Sequence, residues 1–260
     1  MIAQTSGEGL PLVVVHGFAV DHRIMLPLED MVGERPWQRV YVDLPWAEGA
    51  EDTGVATPGE LADAVVEEVR ALAGDGPFAV LGNSFGAMVA RHAAHALRTQ
   101  CAGLATLAGV FEMDHARRRL PGRQVLRSDD GVLDEAADVR DDFAEMAVLQ
   151  TPAAFRAFRR HVVPGMRGAD QTVLARLGER YAEAPVPEAD APPFDAPSLH
   201  VLGRQDHVVG FEDGVALREH YPRGTFAILD GTGHNLHLER PAVVGALVGD
   251  WLDRVELSLR

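Results

Sequence analysis

Lysine is absent from the 260 residues; all 24 basic side chains are arginine. That removes Schiff-base chemistry, a pyridoxal anchor, the phosphate-loop lysine and a Ser-Lys dyad together. Cysteine occurs once, as Cys101, so an intramolecular disulfide and a cysteine-built zinc or iron–sulfur site are excluded. Positive charge is in short supply, with 24 basic against 39 acidic residues and a formal net charge of −15. Polyanions are held by clustered positive charge, so neither nucleic acid nor an anionic membrane surface is an expected partner. No apolar run approaches the roughly 20 residues of a membrane span. The start, Met1 to Glu8, lacks a basic segment followed by an apolar one, so no signal peptide is read there and a cytoplasmic location is expected.

The chain is 47% hydrophobic and 24% charged, an ordinary globular balance. Its apolar runs are short and β-branched, with Leu12-Val13-Val14-Val15 the purest. Such runs mark strands buried on both faces, as in a parallel sheet. Similar runs are 39–42, 78–81, 103–107, 199–202 and 226–229. Between most of them lie amphipathic stretches, such as Glu60 to Leu72 with apolar Leu61, Ala64, Val65, Val69 and Leu72. Strands alternating with helices predict an α/β fold whose mostly parallel twisted sheet is covered on both faces. From Phe111 to Pro193 the alternation stops, and helices are predicted near 133–149, 152–163 and 171–182. A structureless loop of about 80 residues is implausible inside a domain. The expected organisation is a core of residues 1–110 and 194–260 with a helical cap, 111–193, rejoined through the proline-rich stretch 185–193.

Serine is also scarce, occurring at positions 6, 84, 128, 198 and 258 only. One of them stands in Gly82-Asn83-Ser84-Phe85-Gly86, after a predicted strand and before a predicted helix. The glycines admit the tight reversal that lifts a serine hydroxyl above a sheet. A nucleophilic serine needs a base, and the base an orienting carboxylate. Strand 199–202 runs into Gly203-Arg204-Gln205-Asp206, and strand 226–229 into Gly231-Thr232-Gly233-His234. Asp206 and His234 thus fall at carboxyl ends of strands, where open α/β sheets bind ligands; Asp114 is the rival acid position. His16-Gly17-Phe18 follows the first buried strand, so the Phe18 and Phe85 amides are candidate oxyanion donors.

In that order the four motifs resemble the oxyanion, nucleophile, acid and histidine motifs of the α/β-hydrolase fold family, in its capped serine-hydrolase, esterase or carbon–carbon hydrolase-like branch. The resemblance implies Ser84 as nucleophile, Asp206 as orienting acid and His234 as base, with no cofactor and a cap inserted after the sixth-strand position. Two departures stand out. Members commonly begin with two strands before the His-Gly strand, whereas about ten residues precede it here, so a sheet trimmed at that edge is expected. The usual glycine-rich turn after the next strand is replaced by Asp43 to Gly49, which places Trp46 as a wall of the substrate site.

Phe143 and Met146 are expected to bind substrate; together with Phe155 and Phe158 they serve equally as the cap's own core. His16 reads as a structural loop histidine, and Asp21 and His22 as braces of that loop or substrate contacts. Arg117, Arg118, Arg119 and Arg123 read as a solvated face rather than an anion site. His92 and His95, or His234 and His237, lack a third ligand for a metal. The expected activity is hydrolysis of a small or medium, largely apolar ester or related carbonyl compound (the EC 3.1.1 class). Carbon–carbon bond cleavage, hinted at by Asn83, and a non-catalytic ligand receptor are the alternatives. The expected partner is a small-molecule substrate, and a homodimer is left open.

Overall fold

The computed structural model describes residues 1–260. The strands are β1 (Ile2–Ser6), β2 (Leu10–Val15), β3 (Trp37–Val42), β4 (Phe78–Asn83), β5 (Cys101–Leu107), β6 (Arg127–Ser128), β7 (Leu149–Gln150), β8 (Ser198–Gly203) and β9 (Gly224–Leu229). The first half carries helices α1 (Leu28–Val32), α2 (Pro58–Ala73) and α3 (Phe85–Ala96). Between β5 and β8 come α4 (Val132–Glu135), α5 (Arg140–Met146), α6 (Pro152–His161), α7 (Val163–Gly168) and α8 (Gln171–Gly178). The chain closes with α9 (Glu212–Ala216), α10 (Leu236–Glu239) and α11 (Pro241–Ser258). None of the helices is long and apolar enough to cross a membrane.

Seven strands form one sheet in the order β1-β3-β2-β4-β5-β8-β9. Only β1 is antiparallel to its neighbour. Side chains alternate across a strand, so Leu12 and Val14 join the apolar cluster on one face while Val13 and Val15 join that on the other. Helices α2 and α3 pack together on one side, α1 and α11 on the other. Alanines 87, 90, 93 and 94 keep α3 thin enough to lie close on the sheet.

The expected trimmed edge is present, but by one strand only. The residues before β2 form an edge strand, β1, which pairs with β3 from Ser6 opposite Arg39 to Ile2 opposite Val42. One leading strand is therefore present and one is missing, which makes β5 the sixth-strand position of the fold, and the helical segment does follow it. That segment also holds a two-stranded parallel pair, β6 with β7, which hydropathy did not announce. Its helices are shorter than predicted. The 133–149 stretch breaks at 136–139, where Asp138 turns to Arg167 at 2.8 Å and Arg159 at 3.7 Å. Pro164, in the first turn of α7, ends the 152–163 helix at His161. The segment shares the core, since Phe143, Phe155 and Phe158 are continuous with Leu12 and Trp251.

Strand β2 lies between β3 and β4, so the chain winds away from it in both directions. Such a reversal opens a crevice at the carboxyl ends of the strands. Gly17 and Phe18 follow β2 there, and Ser84 follows β4.

Candidate active site

The turn between β4 and α3 is built by close approach. A Cβ on Gly82 would stand 2.1 Å from the Gly86 carbonyl oxygen, and one on Gly86 2.3 Å from that of His16. Both obstacles are backbone and cannot swing aside. Squeezed between them, Ser84 takes φ 53° and ψ −118°, a conformation that costs an L-residue roughly 1–3 kcal/mol. Its carbonyl accepts from the Ala87 and Val110 amides, both at 3.0 Å, and its own amide donates to Leu107 at 3.0 Å. These bonds hold the hydroxyl above the sheet.

Asp206 is fully buried beyond β8. Its Oδ1 accepts from the amides of Val208 (2.9 Å) and Val209 (3.0 Å). Its Oδ2 accepts from His234 Nδ1–H at 3.0 Å. That bond fixes the tautomer, leaving Nε2 to accept from the Ser84 hydroxyl at 2.9 Å. The loops carrying acid and imidazole are tied together, because Gln205 Oε1 accepts from the amides of Gly231 (2.9 Å) and Thr232 (3.3 Å). The structure thus brings together Ser84, Asp206 and His234. Asp114 instead caps the short turn at 115–117, accepting from Ala116 N–H.

The loop after β2 passes close to the serine: a Cβ on Gly17 would lie 3.1 Å from Ser84 Cβ. His16 is buried and neutral in role; its Nε2 accepts from the Leu44 amide at 3.0 Å and its Nδ1–H donates to Gly17 O at 2.8 Å. Burial pushes its pKa down. Phe18 follows Gly17 and lines the cavity that Ser84 lines, and Phe85 directly follows the serine at the start of α3. Their rings lie 5.7 Å apart. The next residue, Ala19, has φ 61°, a second non-glycine residue in the left-handed region beside the serine.

A cavity of about 510 Å³ opens over Ser84. Val20, Ile24, Met146, Phe158, Val162 and Met166 give it apolar walls; Asn83, His234 and Asn235 line it near the serine. Asp141, Asp142 and Glu145 of α5 also line it, and no arginine does. Met146, an expected substrate contact, is one of the residues lining this cavity. Two other expected substrate contacts need correction. Trp46 is wholly buried, donates to Val20 O at 2.8 Å and packs tilted against Phe18 with ring centroids 4.9 Å apart, so it supports the loop after β2 instead of walling the cavity. Phe143 is buried against Phe155 at 5.2 Å, in the core that the inserted segment shares with the sheet. Ile24, Val162 and Met166 were missed, since isolated aliphatic residues leave no trace in a single sequence.

The remaining singled-out residues are braces. Asp21 accepts from the Arg23 amide and guanidinium. His22 donates to Asp43 at 2.9 Å, which pushes its pKa up. Arg117 pairs with Glu112, Arg119 with Asp213 and Arg123 with Glu145. Arg118 is buried, not solvated, and donates to the carbonyls of Glu112 and Val208. His92 meets Asp63, and His95 meets His220. His237 bonds the Ile24 carbonyl at 3.0 Å and so holds one wall of the cavity.

The chain belongs to the alpha/beta hydrolase family, whose description fits residues 12–247. It is similar to an alpha/beta superfamily hydrolase from Oenococcus oeni, with a TM-score of 0.91 at 25% identity, covering 97% of this chain and 95% of that one. A thermophilic esterase from Thermogutta terrifontis shares the fold, with a TM-score of 0.72 at 20% identity over 97% and 92% of the two chains. Among curated proteins, the (E)-2-((N-methylformamido)methylene)succinate hydrolase of Acinetobacter baylyi is 20% identical over 251 residues, 95% of this chain and 92% of that protein.

Proposed function

We propose that the protein is a serine hydrolase of small or medium, largely apolar esters or related carbonyl compounds, acting through Ser84, His234 and Asp206. The observation that carries the reading is the unbroken pair of hydrogen bonds from Asp206 through His234 to Ser84, 3.0 and 2.9 Å. Ser84 Oγ attacks the carbonyl carbon while His234 Nε2 takes its proton, and Asp206 stabilises the imidazolium. The amides of Phe18 and Phe85 receive the oxyanion, each worth about 10²–10³ in rate. His234 then returns the proton to the departing alkoxide. A water, deprotonated by His234, releases the acid from the acyl-enzyme.

The walls set the substrate class. Eight apolar residues line the cavity, Phe18 and Ala19 with the six wall residues, so an acyl chain fits them, and its burial contributes about 0.8 kcal/mol per methylene. Three carboxylates and no guanidinium line the same space. A dianionic substrate, such as the succinate derivative in the name of the Acinetobacter relative, would meet repulsion from Asp141 and Asp142, while Glu145 is already paired with Arg123. Carbon–carbon cleavage draws no support from Asn83, whose amide is committed to Leu107 O at 2.9 Å.

The test uses p-nitrophenyl esters of graded chain length, their carboxylate-bearing analogues, and a fluorophosphonate probe. Neutral esters should turn over, anionic analogues should be poor substrates, and the probe should label Ser84. Ser84→Ala should abolish turnover and leave the melting temperature nearly unchanged. Turnover retained in that variant, or a wild-type protein inert to the probe, would overturn the reading.

A further inference from the structure

Three successive amides precede His234, and each ends on a side-chain oxygen. Those of Gly231 and Thr232 go to Gln205, within the sheet-bearing core. That of Gly233 donates to Glu239 Oε2 at 2.6 Å. The other oxygen of the same carboxylate faces away from the core: Glu239 Oε1 accepts from the amides of Val148 (2.7 Å) and Leu149 (3.1 Å), where α5 gives way to β7. One side chain therefore joins the histidine turn to the inserted helical segment, one oxygen to each.

No arginine or histidine pairs with this carboxylate. Its neighbour Arg240 reaches the Asp230 carbonyl instead. Burial pushes the Glu239 pKa up and the three amides oppose the shift. A half-buried carboxylate without a counter-ion is an expensive choice for a merely structural strut. The same junction is tight sterically. A Cβ on Gly233 would stand 2.8 Å from Val148 Cγ2 and 3.2 Å from the Met146 carbonyl oxygen. Met146 itself lines the cavity, so the contact joins a substrate wall to the turn that ends in the base.

We propose that Glu239 is a positioning residue: it couples the seating of residues 146–149 to the His234 turn, so that the imidazole is held to Ser84 only while the inserted segment is docked. The inference rests on the serine-hydrolase reading. Glutamine cannot replace this carboxylate, because it offers an acceptor to one side and presents an N–H to donors on the other.

The experiment measures the second-order rate of Ser84 labelling by a small fluorophosphonate, kcat and KM on a short p-nitrophenyl ester, and the melting temperature. The variants are Glu239→Gln, Gly233→Ala, and Gly233→Ala with Val148→Ala. Glu239→Gln should lower labelling and kcat about 10- to 100-fold with KM changed less than about threefold, as displacement of a catalytic group does. Gly233→Ala should slow labelling by crowding Val148, and Val148→Ala should restore most of the rate. Labelling at the wild-type rate in folded Glu239→Gln overturns the coupling, whatever its melting temperature. Should that variant not fold, failure of Val148→Ala to rescue Gly233→Ala overturns it instead. A wild-type protein that the probe does not label refutes the hydrolase reading, a different failure.

Discussion

At the scale of single residues, the candidate site depends on what two glycines lack. Gly86 allows the nucleophile turn to lie against the carbonyls of Val15 and His16, 2.4 and 2.3 Å from where its Cβ would be. The Val15 carbonyl cannot retreat, because β2 is paired on both sides, to β3 and to β4, and His16 directly follows that strand. Gly86→Ala must therefore push α3 off the sheet, at a cost of about 3 kcal/mol or more. It should lower the urea midpoint and abolish labelling of Ser84, whereas Ser84→Ala should do only the second. A Gly86→Ala protein with wild-type stability would mean that the turn is looser than its contacts imply. The pair Gly82 and Gly86 was legible in the sequence because one residue type, at two fixed offsets from a serine, answers one steric demand. The cavity walls were not legible: Ile24, Val162 and Met166 reach the cavity only through tertiary packing. Trp46 and Phe143 looked equally suited by composition, and packing turned both away from the cavity.

Elements were legible to the extent that burial shaped their composition. The six central runs are strands because water is excluded from both faces, which selects β-branched residues. Edge strand β1 escaped notice for the opposite reason: Ile2, Ala3 and Thr5 are exposed, and the strand is held by its backbone ladder to β3. The proline-rich return, read as a stiff linker, carries more than stiffness. Its Glu188 is buried against Arg91 of α3, with oxygen–nitrogen distances of 2.6 and 2.7 Å, and accepts from Tyr221 OH. Arg91 in turn donates to the Val110 carbonyl at 2.7 Å, and the Val110 amide to Ser84 O. The strap thus reaches the nucleophile turn through three successive links, Glu188 to Arg91, Arg91 to Val110 and Val110 to Ser84. The guanidinium beside Glu188 holds its carboxyl down to about 2. A carboxylate with a depressed pKa stabilises fully above its unfolded value near 4.5, and that contribution is lost as pH falls toward 2. Glu188→Ala leaves Arg91 charged and buried with no partner. It should cost about 3–5 kcal/mol at neutral pH, measured by urea unfolding. A loss below about 1 kcal/mol, the scale of an exposed pair, would show that the strap is held by something else.

For the whole molecule, order along the chain carried the strongest information. A serine turn, an acid and a histidine at successive strand ends must converge if the sheet is parallel, since parallel strands present their carboxyl ends on one side. Geometry beyond that, including which carboxylate joins the histidine turn to the inserted segment, depends on contacts between residues some 90 apart, such as Glu239 with Val148 and Leu149. The same global burial makes a prediction about acid. His200 is enclosed by Tyr221 and Phe226, with ring centroids 4.6 and 4.5 Å away, and burial pushes its pKa down to about 3. His237 is likewise pushed down to about 4. Both stay neutral in the fold and take up protons on unfolding near pH 6.5, so their contribution is complete above 6.5 and drains away as pH falls. His16, His95, His115, His161 and His220, all lowered by burial, work in the same direction, while His22, raised by Asp43, opposes it. Between pH 6.5 and 4.5 the acid-sensitive carboxylate of Glu188 is still fully ionised in the fold, so the histidines dominate that window. Two such groups give a slope of up to about 2.7 kcal/mol per pH unit, or about 4 kcal/mol between pH 7.5 and 5. That is a large part of the roughly 5–15 kcal/mol that holds a typical domain. The urea midpoint should accordingly fall steeply from pH 6.5 to 5 at low and high salt alike, because the cause is burial and not surface repulsion. His200→Phe should remove about one proton from the uptake and flatten the slope by one group's share, up to about 1.4 kcal/mol per pH unit. A midpoint that stays level across this window, or one whose fall disappears in high salt, would place the acid sensitivity in the excess of surface carboxylates instead of the two buried imidazoles.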